Sequence, residues 1–224
     1  MGLDCVNAIS VVQRKLQAAG FDPGPIDGLW GRRTEAALDA ALAAARAPML
    51  SPVTQVMREA IAPALVMLPS RMASPEARVL MLAICGQEAD FHHRWQVVDR
   101  ARPHVMGPAR GLWHFERGGG VRGVLTHASS RTHAEDLCRL RGVPATLDGV
   151  YNALHADDVL AAGFARLLLW TDAAPLPAVG DVETAWKLYL RTWRPGAWAN
   201  GNAAQREGLR RKWAGYYNDA RKAL

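Results

Sequence analysis

Glu88 is the residue of this sequence whose surroundings point most clearly to chemistry. Leu80, Ile84 and Glu88 recur at i, i+4 and i+8, so a helix would place them on one face. From Ala77 the segment is apolar almost all round, which marks a central, buried helix. Ser74, Pro75 and Glu76 supply its start: a capping oxygen, a proline at the first helical position and an acid in the first turn. Glu88 falls at the other end, where the helix dipole is negative. Apolar surroundings and a negative helix end both disfavour a carboxylate, so the pKa of Glu88 is expected to rise. A carboxylic acid still protonated near neutral pH can give its proton to the leaving oxygen of a glycosidic bond. Taken alone, the same glutamate also fits a surface acid at a frayed helix end.

Glycoside hydrolysis ordinarily uses two carboxylates. Asp99 and Glu116, 11 and 28 residues beyond Glu88, are the candidates for a second. His92, His93, His104, His114 and His127 lie in the same stretch. No HExxH and no paired Cys/His spacing accompanies them, so no metal site or cofactor is expected, and His92 reads as a cleft residue beside the acid. A zinc amidase or peptidase stays open as an alternative. Gly118, Gly119 and Gly120 lack the Gly-Lys-[Ser/Thr] ending of a phosphate loop, and read instead as a tight turn or a close approach of backbone to ligand.

The elements that would position these groups are helical. Ala, Leu and Arg are abundant and strand formers sparse. Near the N-terminus, Ile9, Val12, Leu16 and Ala19 have helical spacing, and Gly20 stops the helix. FDPGPIDGLWG comes next, a loop dense in proline and glycine, and a second helix starts near Thr34. RAPMLSP, from Arg46 to Pro52, reads as a linker or as the first turn of the next domain. Residues 53–68 read as a helix bent at Pro63, and 148–172 as one helix. Trp186, Tyr189 and Trp193 share a face of a helix that begins at Asp181 and ends at Pro195 and Gly196. Core packing is expected of Trp186 and Tyr189, and cleft positions of Trp193 and Trp198 beside the Pro-Gly turn.

These residues carry two resemblances. Val12, Leu16, Gly20, Phe21, Asp27, Gly28, Trp30, Gly31, Thr34, Ala37 and Leu38 occur in the order of the peptidoglycan-binding type 1 repeat, over roughly residues 6–45. The resemblance implies wall binding, with Asp27 and Trp30 either meeting the ligand or holding the turn and core. The closing Phe-Gln of that repeat is absent. Glu88 followed by Gly107, Gly111, Leu112, Trp113 and Phe115 resembles the lysozyme-like superfamily, closest to its goose-type lysozyme and soluble lytic transglycosylase branch. There the glutamate helix is followed by a Gly-rich hairpin lining the sugar cleft. Gly111, Trp113, His114 and Phe115 are thereby implied to bind substrate. His114 stands where that family often has Gln, and Ala89 replaces the usual Ser after the glutamate. In lytic transglycosylases one Glu acts first as acid and then as base, which makes Glu88 alone sufficient.

The expected architecture is therefore mainly α: a small peptidoglycan-binding module over 1–46, a linker over 47–52, and a larger lysozyme-like helical domain over 53–224 with a short Gly-rich hairpin. The combination resembles a modular phage endolysin, a glycosidase cutting the β-1,4 bond between N-acetylmuramic acid and N-acetylglucosamine. A non-catalytic wall-binding or virion protein with a decayed lysozyme fold is the alternative. MGLDCVNAIS has neither the basic start nor the apolar stretch of an export signal, and no apolar run approaches the ~20 residues of a membrane span. Synthesis in the host cytoplasm is expected, with action on the periplasmic wall after the membrane is permeabilised. Cys5, Cys85 and Cys138 are odd in number and scattered, which fits reduced thiols. Residues 1–46 carry five basic and five acidic side chains, whereas Trp186 to Leu224 carries nine basic ones against Glu207 and Asp219. That basic end is either a solvated helix face or a contact for an anionic outer envelope. No nucleic-acid motif accompanies it, and a monomer is expected.

Overall fold

The computed structural model describes residues 3–46, 50–99, 101–102 and 104–224. The chain forms two compact units that divide between Met49 and Leu50. It is mainly helical, with one small sheet. Of the expected linker 47–52, residues 47–49 lie outside the described residues. Ser51 and Pro52 belong to a helix start: the Ser51 hydroxyl accepts from the Thr54 amide.

The first unit is a helix pair, α1 (Leu3–Ala18) and α2 (Arg32–Arg46). Gly20, at φ +85°, ends α1 in the left-handed conformation that glycine adopts without steric cost. Among the described residues, Leu16 and Ala37 are buried apolar side chains of this unit.

In the second unit, the helix expected over 53–68 runs over 52–67. It passes through α3 (Pro52–Val56), a π-turn (Met57–Ile61) and α4 (Ala62–Met67). The π-turn immediately precedes Pro63, which has no N–H to return to the preceding turn. The Ala62 amide instead reaches the Met57 carbonyl. Next comes α5 (Pro75–Ala89), capped by Ser74 as expected and buried on nearly every side. Its C-cap, Asp90, is left-handed at φ 47°.

Strands β1 (Trp95–Val97), β2 (Met106–Arg110) and β3 (Phe115–Glu116) then form an antiparallel sheet in the order β1-β2-β3. The triple glycine is not a tight turn. None of the three has positive φ, and they lie in a π-helical segment, Arg117–Val121, that leads into α6 (Arg122–Thr126).

Helix α7 (Arg131–Leu140) comes next. The single helix expected over 148–172 is two, α8 (Leu147–Ala153) and α9 (Asp158–Trp170). The break comes where the Asp157 carboxylate caps α9 by accepting from the Leu160 amide. The last helices are α10 (Val182–Trp193), α11 (Gly196–Asn200) and α12 (Ala203–Lys222). Asn202 and Gln205 close a capping box on α12.

The core gathers α5, α9, α10 and the inner face of α12. Helix α12 lies directly against α5. A β-carbon at Gly86 would fall 2.5 Å from the Tyr216 ring, so only glycine allows this approach. Among the described residues no helix is long and apolar enough to cross a membrane.

Candidate functional site

A cavity of about 810 Å3 opens in the second unit, within the range of ligand sites. The last turn of α5 and the sheet bring Glu88, Gln96, Ala109, His114, Phe115 and Glu116 to its wall. The π-helical glycines and α6 add to the lining, as do the C-terminus of α10 and the turn into α11, from Arg191 to Ala197.

Glu88 is held from behind. The Tyr189 hydroxyl on α10 donates to its Oε1 at 2.6 Å. Its side chain is only 18 % exposed. Burial raises its pKa from 4.5 to about 7, against the lowering effects of the Tyr189 bond and the Lys212 charge; the Glu116 charge adds to the rise. That rise corresponds to about 3 kcal/mol of penalty on the ionised form in the folded state. The α12 residue Lys212 also donates to the Gln87 carbonyl at 3.1 Å and pairs with Asp90 at 3.6 Å, so it neutralises the negative end of α5. Tyr189 is buried, and burial and the Glu88 charge keep its phenol far above its usual pKa. It therefore donates at any working pH.

His114 lies on the other side of the acid. It sits at φ 47° between β2 and β3, so the hairpin turn aims its ring inward. Its Nε2 faces the His93 carbonyl oxygen at 3.2 Å, and a carbonyl only accepts, so Nε2 carries the proton. Nδ1 then presents a lone pair 3.8 Å from Glu88 Oε2. Burial is the main cause that lowers the His114 pKa, to about 4, and the imidazole is neutral in the range where Glu88 titrates. With Oε1 engaged by a donor, the proton of the acid sits on Oε2.

Glu116 shares the cavity wall and is exposed to it. Asp99 does not reach the cavity. It closes a local turn, accepting from the Ala101 amide at 2.9 Å and the Arg102 guanidinium at 2.8 Å, and the guanidinium foremost holds its carboxyl below the usual range. Its second-carboxylate role is thereby withdrawn, since a carboxylate tied to an exposed arginine away from the cavity has no access to a bound sugar.

In the first unit, one side chain organises the loop. Gln13 is buried on the inner face of α1, in the stripe with Ile9 and Leu16. Its Nε2 lies within hydrogen-bond distance of Asp27 Oδ1, the Leu29 carbonyl and Thr34 Oγ1, and its Oε1 accepts from the Gly28 amide. Thr34 in turn donates to the Pro23 carbonyl. Asp27 also accepts from the Leu29 amide, and that bond, then the Gln13 bond, hold its carboxyl below the ordinary range. The loop so fixed leaves Leu29 and Trp30 standing 64 % and 48 % exposed.

Residues 6–41 match the family model described as "Putative peptidoglycan binding domain". The first unit thus carries a peptidoglycan-binding module. No curated protein and no solved structure matches the chain. In the module Asp27 is a turn-holding residue, whereas Trp30 is free on the surface.

The remaining expected residues separate cleanly. Phe115 and Trp193 line the cavity, and Trp193 Nε1 donates to the Trp113 carbonyl at 3.0 Å. Trp113 itself is core: it is fully buried, with Nε1 donating to the Met81 carbonyl of α5. Gly111 is also structural. At φ +73° it brings the hairpin so close to α8 that a β-carbon would lie 2.9 Å from the Leu154 carbonyl. His92 turns back to donate to the Asp90 carbonyl and stacks near His93, off the cavity wall. Trp198 packs its edge on Trp186 with centroids 5.2 Å apart, under Arg206. Trp198 is half-buried against the core and is not among the residues that line the cavity.

Sequence reasoning missed Tyr189 as a partner of the acid, Gln13 as the hub of the module, and the Arg191–Asp172 pair in the cavity wall. Gln13 had a legible signal, a lone polar residue inside an apolar stripe. Cys85 and Cys138 are buried free thiols whose pKa burial raises, Cys138 to about 11. Among the described residues no three His, Cys, Asp or Glu side chains converge to hold a metal ion.

Proposed function

We propose that the second unit cleaves the glycan of peptidoglycan, with Glu88 as general acid and then base, and that the module holds the enzyme on the wall. The observation that carries this reading is a largely buried carboxylic acid with its pKa near 7 on the wall of a ligand-sized cavity. Protonated Oε2 gives its proton to the leaving oxygen of the β-1,4 bond between N-acetylmuramic acid and N-acetylglucosamine as the C–O bond breaks. Tyr189 holds Oε1 throughout and stabilises the carboxylate that results. Neutral His114 adds no charge that would pull the proton off early.

In the single-acid route the Glu88 carboxylate then takes the proton of the muramyl sugar's own hydroxyl as that oxygen bonds to the anomeric carbon, which yields an anhydro product. Glu116 on the same wall favours the hydrolytic variant, in which it takes the proton of a water whose oxygen bonds to the anomeric carbon. We place the protein among phage endolysins on the pairing of a wall-binding module with such a site, acting in the periplasm once the membrane is breached.

The test is mass analysis of the products released from purified sacculi by wild type, Glu88→Gln and Glu116→Gln. Anhydro-muramyl ends that survive Glu116→Gln support the single-acid route. Reducing muramyl ends that vanish in Glu116→Gln support hydrolysis. Release of free peptides without new glycan ends overturns the glycosidase reading.

A further inference from the structure

The cations of the cavity wall are not all committed. Arg191 is neutralised by Asp172, to which it donates from Nε at 2.6 Å and from a terminal nitrogen at 2.9 Å. Arg122, at the start of α6, makes no side-chain hydrogen bond or ion pair with the described residues. Among the same residues, the only side-chain bond of Arg194 is a long one, from Nε to the Arg191 carbonyl at 3.3 Å. Arg122 and most of the Arg194 guanidinium are thus left to solvent and to the cavity.

Arg194 also occupies the left-handed C-cap of α10, at φ 49° and ψ 55°, where glycine is the unstrained choice. The cap needs no arginine side chain to close, so a non-glycine residue kept in that conformation points to a use for the side chain beyond the cap. Both arginines face the same cavity as Glu88. Two carboxylates of that wall, Glu88 on α5 and Glu116 on β3, have no arginine partner among the described residues.

We infer that Arg122 and Arg194 form a carboxylate-reading subsite that selects muramyl units carrying an anionic substituent over uncharged glycan. This rests on the glycan-cleaving reading of the cavity. Guanidinium groups take carboxylates in paired, charge-assisted hydrogen bonds, and a partly enclosed wall strengthens them relative to open water. A glycan of N-acetylglucosamine alone offers no such group. A muramyl unit offers either the carboxylates of its stem peptide or, when stripped of peptide, the carboxylate of its lactyl ether.

The experiment is an NMR titration of the full chain followed at the indole N–H of Trp193, a cavity residue, so that binding by the module is not read. The ligands are a disaccharide tetrapeptide ending in a muramyl residue, the same disaccharide stripped of peptide, and di-N-acetylchitobiose. The proteins are wild type, Arg122→Gln/Arg194→Gln, and Arg211→Gln/Lys222→Gln, the last removing equal charge from exposed positions of α12. The inference expects the cavity pair to weaken a carboxylate-bearing ligand about tenfold or more. Chitobiose should be unchanged, and so should the α12 variant. Loss on the peptide-bearing ligand alone assigns the stem carboxylates, and loss on the stripped one assigns the lactyl group. Equal loss on all three ligands, no loss on any, or no shift of Trp193 with any ligand overturns it. Because binding rather than turnover is measured, a protein that binds as expected but leaves sacculi intact would refute the glycosidase reading and leave the subsite standing.

Discussion

The two units handle a carboxylate in opposite ways. In the module, Asp27 is exposed and receives two donors, and its pKa falls. In the larger unit, Glu88 is largely buried with one donor, and its pKa rises to about 7. The first arrangement spends a carboxylate on holding a loop in shape, so that Leu29 and Trp30 can stand in solvent. The second holds a proton ready beside a cavity. Donor number and burial, not residue type, separate a structural acid from a chemical one.

The contrast breaks most severely at the acid itself. Glu88→Gln keeps the shape but cannot donate a proton, and turnover of sacculi should fall by about 10²–10⁴-fold. Its stability should move the other way. The folded pKa of Glu88 lies above its unfolded value, so the penalty is absent below pH 4.5, grows through the window from 4.5 to 7 and is complete above it. Urea unfolding should therefore show Glu88→Gln more stable than wild type by about 3 kcal/mol at pH 8 and by little at pH 4. His114 runs oppositely: its folded pKa of about 4 means that stability is lost as pH falls from 6.5 to 4. The two effects oppose each other across the same window, and Glu88→Gln should uncover the histidine's acid lability.

The matching break in the module is Gln13→Ala, which strands the Gly28 amide and removes a donor from Asp27 and Thr34. A loss of about 2–4 kcal/mol is expected for the module, read as lost hydrogen-exchange protection at the Gly28 amide. Gly86→Ala drives a methyl into the Tyr216 ring and should cost about 1–3 kcal/mol in thermal unfolding, with α12 displaced from the acid. Trp30→Ala sharpens the comparison, since an exposed side chain is not needed for folding. Retention on sacculi should drop about 5–30-fold, equivalent to about 1–2 kcal/mol, with unfolding unchanged. The smallest effect belongs to Tyr189→Phe. It removes the donor that lowers the Glu88 pKa, so the alkaline limb of the activity profile should shift upward, by about one unit or less.

Much of this was legible in the sequence, for physical reasons that can be named. Ser74-Pro75-Glu76 and the Gly20 stop are local signals, and both elements begin or end where those residues require. Glu88 was legible because its place at the end of an apolar face is set by its own helix. Tyr189 was placed in the core by its aromatic face, correctly, but its hydroxyl meets Glu88 across 101 residues of chain, and no local pattern carries that distance. Trp113 was misjudged because an aromatic near a cleft motif is chemically indistinguishable from one filling the core behind it. Asp99 was misjudged because its partner, Arg102, is a local turn contact that outcompetes any role in a cleft. The helix over 148–172 divided because Asp157 is a capping residue inside an otherwise helical composition.

The pH dependence of glycan cleavage on purified sacculi, read as new muramyl ends for wild type and Glu88→Gln side by side, bears most directly on the role of Glu88. The expected result is cleavage by wild type that declines as pH rises through about 7, where Glu88 loses its proton, and no new ends with Glu88→Gln at any pH. New ends produced equally by Glu88→Gln, or an activity that rises through pH 7, would contradict Glu88 as the acid.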